Sequence, residues 1–434
     1  MRRIPWPVWV LVILVTVLGI PVLTGLVLRW QGQRDLATVH AEIRAMGSPA
    51  TPREWVERLP AKDETALREF REAVKAFAKE PDPAIARWLA SGTAATPAVH
   101  RWLATSSASR ARLRTAVALP DGGWGRRFTV IDGPTGLRRF PGLVDQDPDL
   151  LATRHAMLHL MTAYRIADDD AALLDADRLM AGLGKDTLIE SAISMALQRE
   201  MDRHALRTRY ADSRSRPRPA TWGRPVSPPL AAMPGLIAAE RITFDLMLRQ
   251  MPMADWNGRE DWRVWRPSSW SWVFFHGDQA ARTRFSMAWE RTPATPPDPI
   301  PVRWWFPSTH AWMAPDIDAV RGTLETRHVA DVSHRSHRIL ADLLDRMPAG
   351  ADSTTAIAAL PQPHPLLAPG PDHMPLGLRV VDRRTVRVAP LPDGPWPPGM
   401  DDRYRSAWTA PRPAPALGSG PIQEHGGAID LDLP

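Results

Sequence analysis

The chain has 434 residues, 44% of them hydrophobic, with 45 prolines, no cysteine and a formal net charge of +6. This length can hold two or three domains with real cores; the lack of cysteine excludes a lipid-acylated cysteine anchor and leaves no thiol needing a redox partner on either side of a membrane. The basic balance does not point to nucleic acid: arginines are scattered among the acidic residues, lysine is confined to Lys62, Lys75, Lys79 and Lys185, and no dense basic block occurs.

The first element is apolar. Ile4 to Leu28 carries no charge, and its polar members are Thr16 and Thr24. About 25 residues at 1.5 Å each give a helix of about 37 Å against a hydrocarbon core of about 30 Å, so the sequence predicts one tilted membrane span. Pro21 lies inside it, where membrane helices tolerate a bend, and Trp6, Trp9 and Trp30 stand near the ends, where indoles favour the headgroup layer. A cleaved signal peptide needs an apolar run of only about 7–15 residues and a small-residue cleavage site. Leu26-Val27-Leu28-Arg29-Trp30 offers no such site, so the span is read as retained. Arg2, Arg3 and the α-amino group precede it, and Arg29 and Arg34 follow it; the balance predicts a cytoplasmic N-terminus and an extracytoplasmic body. Membrane lipid around residues 4–28 is the first expected partner.

Beyond the span, Leu36, Val39, Ile43 and Met46 recur at helical spacing, so a juxtamembrane helix continues the anchor and ends at Gly47. Thr51-Pro52-Arg53-Glu54 is a helix start, with Thr51 as N-cap, Pro52 at the first position and Glu54 at the third. Ala66–Ala78 carries Leu67, Phe70, Val74 and Phe77 as an apolar stripe, and Pro83–Leu89 and Pro97–Leu103 read as short helices. Asp147–Tyr210 is the clearest helical region. Asp147-Pro148-Asp149, Asp168-Asp169-Asp170 and Lys185-Asp186-Thr187 open three amphipathic helices joined by short turns, the second stopping at Gly182. That pattern predicts an α-hairpin array, without a repeat regular enough to be tetratricopeptide.

Arg214–Pro229 is a Pro/Arg/Ser linker, and Leu236–Gln250 is helical again. Residues 251–312, dense in tryptophan and proline, read as irregular packing. Pro315–Met347 restores helix. Leu376, Leu378, Val380, Val386 and Val388 then alternate around Asp382-Arg383-Arg384 as a β-hairpin. Pro390–Gly420 is low in regular structure, and Ala428–Leu433 reads as a closing strand. The expected fold is mainly α: a transmembrane helix (1–30), juxtamembrane helices (31–110), an α-hairpin region (111–215), a Trp/Pro-rich segment with flanking helices (216–350) and a Pro-rich C-terminal part with a β-hairpin (351–434).

The layout resembles a group of single-span, membrane-anchored bacterial proteins with a helical body whose function is uncharacterised. The resemblance lies in Glu42-Ile43-Arg44-Ala45-Met46-Gly47-Ser48-Pro49 after the span, the hairpins at 147–210, Ala239-Glu240-Arg241, and Gly426-Gly427-Ala428-Ile429. It implies membrane anchoring and no activity. The C-terminal part is also similar in outline to the tail of type II secretion pseudopilins, where a Gly/Asp-rich loop binds calcium. Here Asp401, Asp402, Glu424 and Asp430 have the wrong spacing for one calcium loop, and the pilin cleavage motif is missing, so no calcium site is implied.

Asp331, His334 and His337 recur every three residues on a predicted helix, with His328 one turn further back; one face can then present a carboxylate and imidazoles to a metal. No glutamate inside the motif acts as general base, so it is not a zinc-peptidase helix. The plainer reading is a solvated face in an Arg/His-rich stretch. His155 and His159 form a second such pair, with a partly buried helix face as the plainer reading. No nucleophile elbow, phosphate loop or dinucleotide fingerprint occurs, and Asp121-Gly122-Gly123-Trp124-Gly125 reads as a turn, so no catalytic residue and no cofactor is assigned.

Trp262, Trp265, Trp270, Trp272, Trp304 and Trp305, interleaved with Arg259, Arg263, Arg266 and Arg303, are candidates for binding sugars or lipid headgroups. Buried packing between helical halves is the plainer reading. The leading expectation is therefore a non-catalytic protein of the cell envelope that presents a helical surface to a protein partner. The alternatives are an anchored hydrolase of envelope polymers and a glycan- or lipid-surface binder that uses these tryptophans.

Overall fold

The computed structural model describes residues 6–58, 64–77, 85, 88, 95–119, 150–167, 169–183, 188–211, 216–224, 232–250, 271–293, 297–298, 317–367, 373–392, 421–425 and 427–434. They are mostly helical, with a small antiparallel sheet near the C-terminus. The helices are α1 (Trp6–Ala45), α2 (Pro52–Val56), α3 (Glu64–Lys75), α4 (Pro97–Thr105), α5 (Ser107–Val117), α6 (Leu150–Ile166), α7 (Asp170–Gly182), α8 (Leu188–Ala211), α9 (Met233–Gln250), α10 (Ser271–Arg291), α11 (Ile317–Arg346) and α12 (Ser353–Ala358). The strands are β1 (Leu376–Asp382), β2 (Thr385–Pro390), β3 (Ile422–His425) and β4 (Ala428–Asp432). The chain forms two units, each drawn from separate stretches of sequence.

The first unit contains α1, α2, α9 and α10. Among the described residues, α1 is the one helix long and apolar enough to cross a membrane. Its two halves differ in burial. Ile13, Val15, Ile20 and Leu23 are 58–63% exposed, whereas Val39 and Ile43 are fully buried. The helix stops at Gly47, whose φ of +77° favours glycine; the Ser48 N–H then closes back on the Ile43 carbonyl at 3.1 Å, satisfying an end carbonyl. Thr51 caps α2 by accepting from the Glu54 N–H. Glu54 returns to the Ala50 N–H at 2.8 Å, one residue earlier than a standard capping box, and also pairs with Arg44.

Leu36, Val39 and Ile43 of α1 pack with Ala50 and with Ala280 and Met287 of α10. The two helices meet at a glycine pair: a Cβ on Gly32 would stand 2.7 Å from the Gly277 backbone nitrogen. A regular helix over Ser271–Arg291 corrects the reading of 251–312 as wholly irregular. That stretch contains no proline, and Ala280, Thr283 and Met287 recur on its buried side, so helical periodicity governs it despite the tryptophans around it.

The second unit contains α3 to α8, most of α11, α12 and the sheet. Phe70, Ala73 and Val74 of α3 enter a core shared with Met157, Leu160, Met161 and Tyr164 of α6 and with Ile339, Leu340, Leu343 and Leu344 of α11. Each large apolar side chain buried there contributes about 1.5–3 kcal/mol. α6 packs on α7 and α8. Asp169 opens α7 by accepting from the Ala172 N–H. The sheet has the order β1-β2-β4-β3 and is antiparallel throughout. The β1–β2 hairpin turns at Arg383-Arg384, and β4 closes on β2 with Val386 opposite Leu431 and Arg387 opposite Asp430. β3 was not foreseen from sequence: Ile422–His425 is short and polar, and it becomes a strand by pairing with β4.

Candidate functional site

The residues singled out from sequence on α11 are all buried, with Asp331 at 5%, His334 at 2% and His337 at 0% exposure. This overturns the reading of a solvated face. The burial is tolerated because each side chain has its own partners. Asp331 takes Arg335, one turn along α11, at 2.7 Å and His373 at 3.0 Å. Arg335 in turn donates to the carbonyls of Leu366 and Met374, tying the helix to the chain that leads into β1. Burial pushes the Asp331 carboxyl up, but His373 and Arg335 outweigh it and hold the carboxyl below its ordinary range. His328, a turn earlier, is pushed down to about 4, first by burial and then by Arg327.

His334 belongs to a different group. Its Nδ1 lies 2.7 Å from Asp202 of α8, and its Nε2 lies 3.2 Å from the Arg224 carbonyl. Asp202 is wholly buried and also accepts from the Trp222 indole and from Gln198, each at 2.7 Å. His337 faces a third carboxylate. Its Nε2 is 3.4 Å from Glu424 on β3, while its Nδ1 is 2.7 Å from the Ser333 carbonyl. The three residues therefore share a helix but not a centre. Among the described residues, no group of three His, Asp or Glu side chains converges to hold a metal.

Glu424 is clamped by two arginines as well as facing His337. Arg203 grips it with two donors at 2.8 and 2.9 Å, and Arg199, one turn earlier on α8, adds a third at 2.7 Å. Burial raises its carboxyl, but His337 and Arg203 reverse the effect and hold it well below the usual carboxylate range. Arg203 is raised in return, chiefly by its hydrogen bond to Glu424. The same stripe of α8 continues to Arg207, which burial brings down to about 10, next to Arg203 and Arg165. His204, buried beside these cations, is pushed far below its ordinary value by burial and then by their charge.

The same construction recurs elsewhere in this unit. Arg387 and Asp430 are both fully buried and meet across β2 and β4 at 2.6 and 2.8 Å, with His425 at 2.9 Å from the same carboxylate. Arg209 takes Asp345 with its Nε and Nη2 donors, while Arg218 bridges Asp345 and Asp342. A general acid or base works best with a pKa near the ambient pH. Glu424, Asp331 and Asp430 are held ionised, and His204 and His328 are held neutral.

His155 and His159 are both buried. His155 Nδ1 contacts the Phe77 carbonyl at 3.0 Å, and the His159 ring stacks on Trp102 at 3.9 Å between centroids. Trp262, Trp265, Trp270, Trp304 and Trp305 lie outside the described residues, and Trp272 is described only as part of the α10 backbone. Trp289 is 5% exposed and donates to the Pro293 carbonyl. Sequence reasoning passed over Asp202, Arg199, Arg203 and Arg387. The i, i+4 arginines at 199, 203 and 207 were a readable signal of a charged stripe; their partner on β3, 221 residues away from Arg203, was not. No family of known proteins, no curated protein and no solved structure matches this chain.

Proposed function

We propose that this is a single-pass membrane protein of the cell envelope whose helical body is an interaction or structural module and not a catalyst. The observation that carries the reading is α1: one continuous helix exposes an apolar surface along its first half and inserts the second half into a folded unit. An anchor packed into a folded unit suits a protein that must hold that unit close to a bilayer. The commitment of the buried charges to one another supports the non-catalytic part of the reading. On this reading the N-terminus is cytoplasmic, the body extracytoplasmic, and the α6–α8 helices act as α-hairpins that offer a surface to a protein partner.

The test is made on the full chain in cells. Alkaline carbonate washing should leave it with the membrane, and chemical cross-linking followed by co-purification should recover a defined envelope partner. Release by carbonate would refute the anchor. Turnover of purified envelope polymers by the protein would refute the non-catalytic part and restore the hydrolase alternative.

A further inference from the structure

The register between α1 and α10 carries a consequence for how the protein meets lipid. The two helices run in the same direction. They touch at Gly32 and Gly277, and Arg241 of α9 joins their far ends by donating to Glu290 at 3.0 Å and to the Pro49 carbonyl at 2.8 Å. Gly32–Ala45 and Gly277–Glu290 have the same length, and Pro49 follows directly after the α1 cap. An antiparallel pair would instead carry Glu290 about 20 Å from Gly32 toward the start of α1, out of reach of Arg241.

Counting back from the glycine pair fixes the level of the other end. Ser271 stands level with Leu26, Trp272 with Val27 and Phe275 with Trp30, because both helices rise about 1.5 Å per residue. Leu26 and Val27 are more than half exposed and belong to the apolar run, and Arg29 and Trp30 mark its end. The sequence beside them, Ser271-Trp272-Val273-Phe274-Phe275, has no charge. A charge-free segment of this composition, with its backbone at this level, suits the boundary between headgroups and acyl chains.

We propose that the first turns of α10, residues 271–275, are a second membrane contact, seated in the interfacial layer of the bilayer beside the exit of the α1 span. The proposal rests on the anchor reading. It gives the first unit two points of attachment to one leaflet, so that unit is held in one orientation and does not swivel on a single helix.

The cysteine-free chain makes the test direct. Single-cysteine variants Ile20→Cys, Ser271→Cys and Thr292→Cys of the full chain are labelled with a fluorophore and reconstituted in phosphatidylcholine–phosphatidylglycerol vesicles. Quenching is read with lipids spin-labelled at shallow or deep acyl positions. The label at Ile20 should be quenched best by the deep probe. The label at Ser271 should be quenched by the shallow probe at least about threefold more than the label at Thr292, which lies near the far end of α10. Val273→Cys provides the same comparison if labelling at Ser271 disturbs folding. Quenching at Ile20 with none above the Thr292 level at both Ser271 and Val273 overturns this proposal alone. No quenching at Ile20 overturns the anchor reading and the proposal with it.

Discussion

Replacing His159 with phenylalanine is expected to make the protein less sensitive to acid. The ring sits between Trp102, stacked at 3.9 Å, and Phe77, tilted at 5.0 Å, and no described residue bonds its buried Nδ1. Burial, then Arg110 and His155, push it from an ordinary 6.5 down to about 3. As pH falls, the unfolded chain therefore binds this proton before the folded one does. The neutral ring's contribution is complete above about 6.5, drains away as pH drops, and is exhausted near 3. Between pH 7 and pH 5 the loss is about 2 kcal/mol, at about 1.4 kcal/mol per unit. Urea unfolding of the full chain in detergent micelles, followed by circular dichroism at both pH values, measures it. Wild type should lose about 2 kcal/mol more than the phenylalanine variant over that interval. Equal losses would show that His159 is protonated in the folded protein and that the stacked, dry ring has been misread.

Glu424→Gln removes the charge shared by Arg199, Arg203 and His337, and should cost about 3 kcal/mol at neutral pH. Because the folded carboxyl is depressed, its contribution is present above the ordinary value of 4.5 and lost as pH falls below it; calorimetry should find that acid limb missing in the variant, and an unchanged acid limb would count against the clamp. Gly32→Val places a side chain against the Gly277 backbone and should destabilise the α1–α10 pair by about 2 kcal/mol, seen as faster proteolysis within 271–291; unaltered protease resistance would mean that the helices do not meet there. Since Asp331, His334 and His337 have separate partners, EDTA should leave the melting temperature unchanged, and a fall reversed by added zinc would contradict that arrangement.

Local signals were legible and distant ones were not. Thr51 and Asp169 were readable as caps because capping depends on the next three residues. The Arg383-Arg384 turn was readable because alternation flips around it. The continuity of the apolar N-terminal segment with the helix that stops before Gly47 was readable from apolar spacing alone. β3 was not, because Gln423 and Glu424 have no strand preference and take their conformation from β4. The burial of His334 and His337 was hidden for a related reason. A charged or polar residue reads as solvated until its partner is known, and Asp202 and Glu424 lie far away in sequence. A pattern of arginines and histidines on one helix can therefore mean either a wet face or a cross-braced interior.

The glycine crossing at Gly32 and Gly277 also bears on synthesis. α1 is made first, whereas the helix that covers Leu36, Val39 and Ile43 follows roughly 240 residues later. At about 5–20 residues per second, the buried half of α1 waits about 10–50 s for its cover. Throughout that interval the second half of α1 displays an apolar stripe whose partners Ala280 and Met287 are not yet made. On the proposed anchor reading, the apolar first half of α1 would hold the stripe close to a bilayer and limit its collisions with other nascent chains, so the order of elements along the chain would make the membrane a holding surface for an unfinished fold.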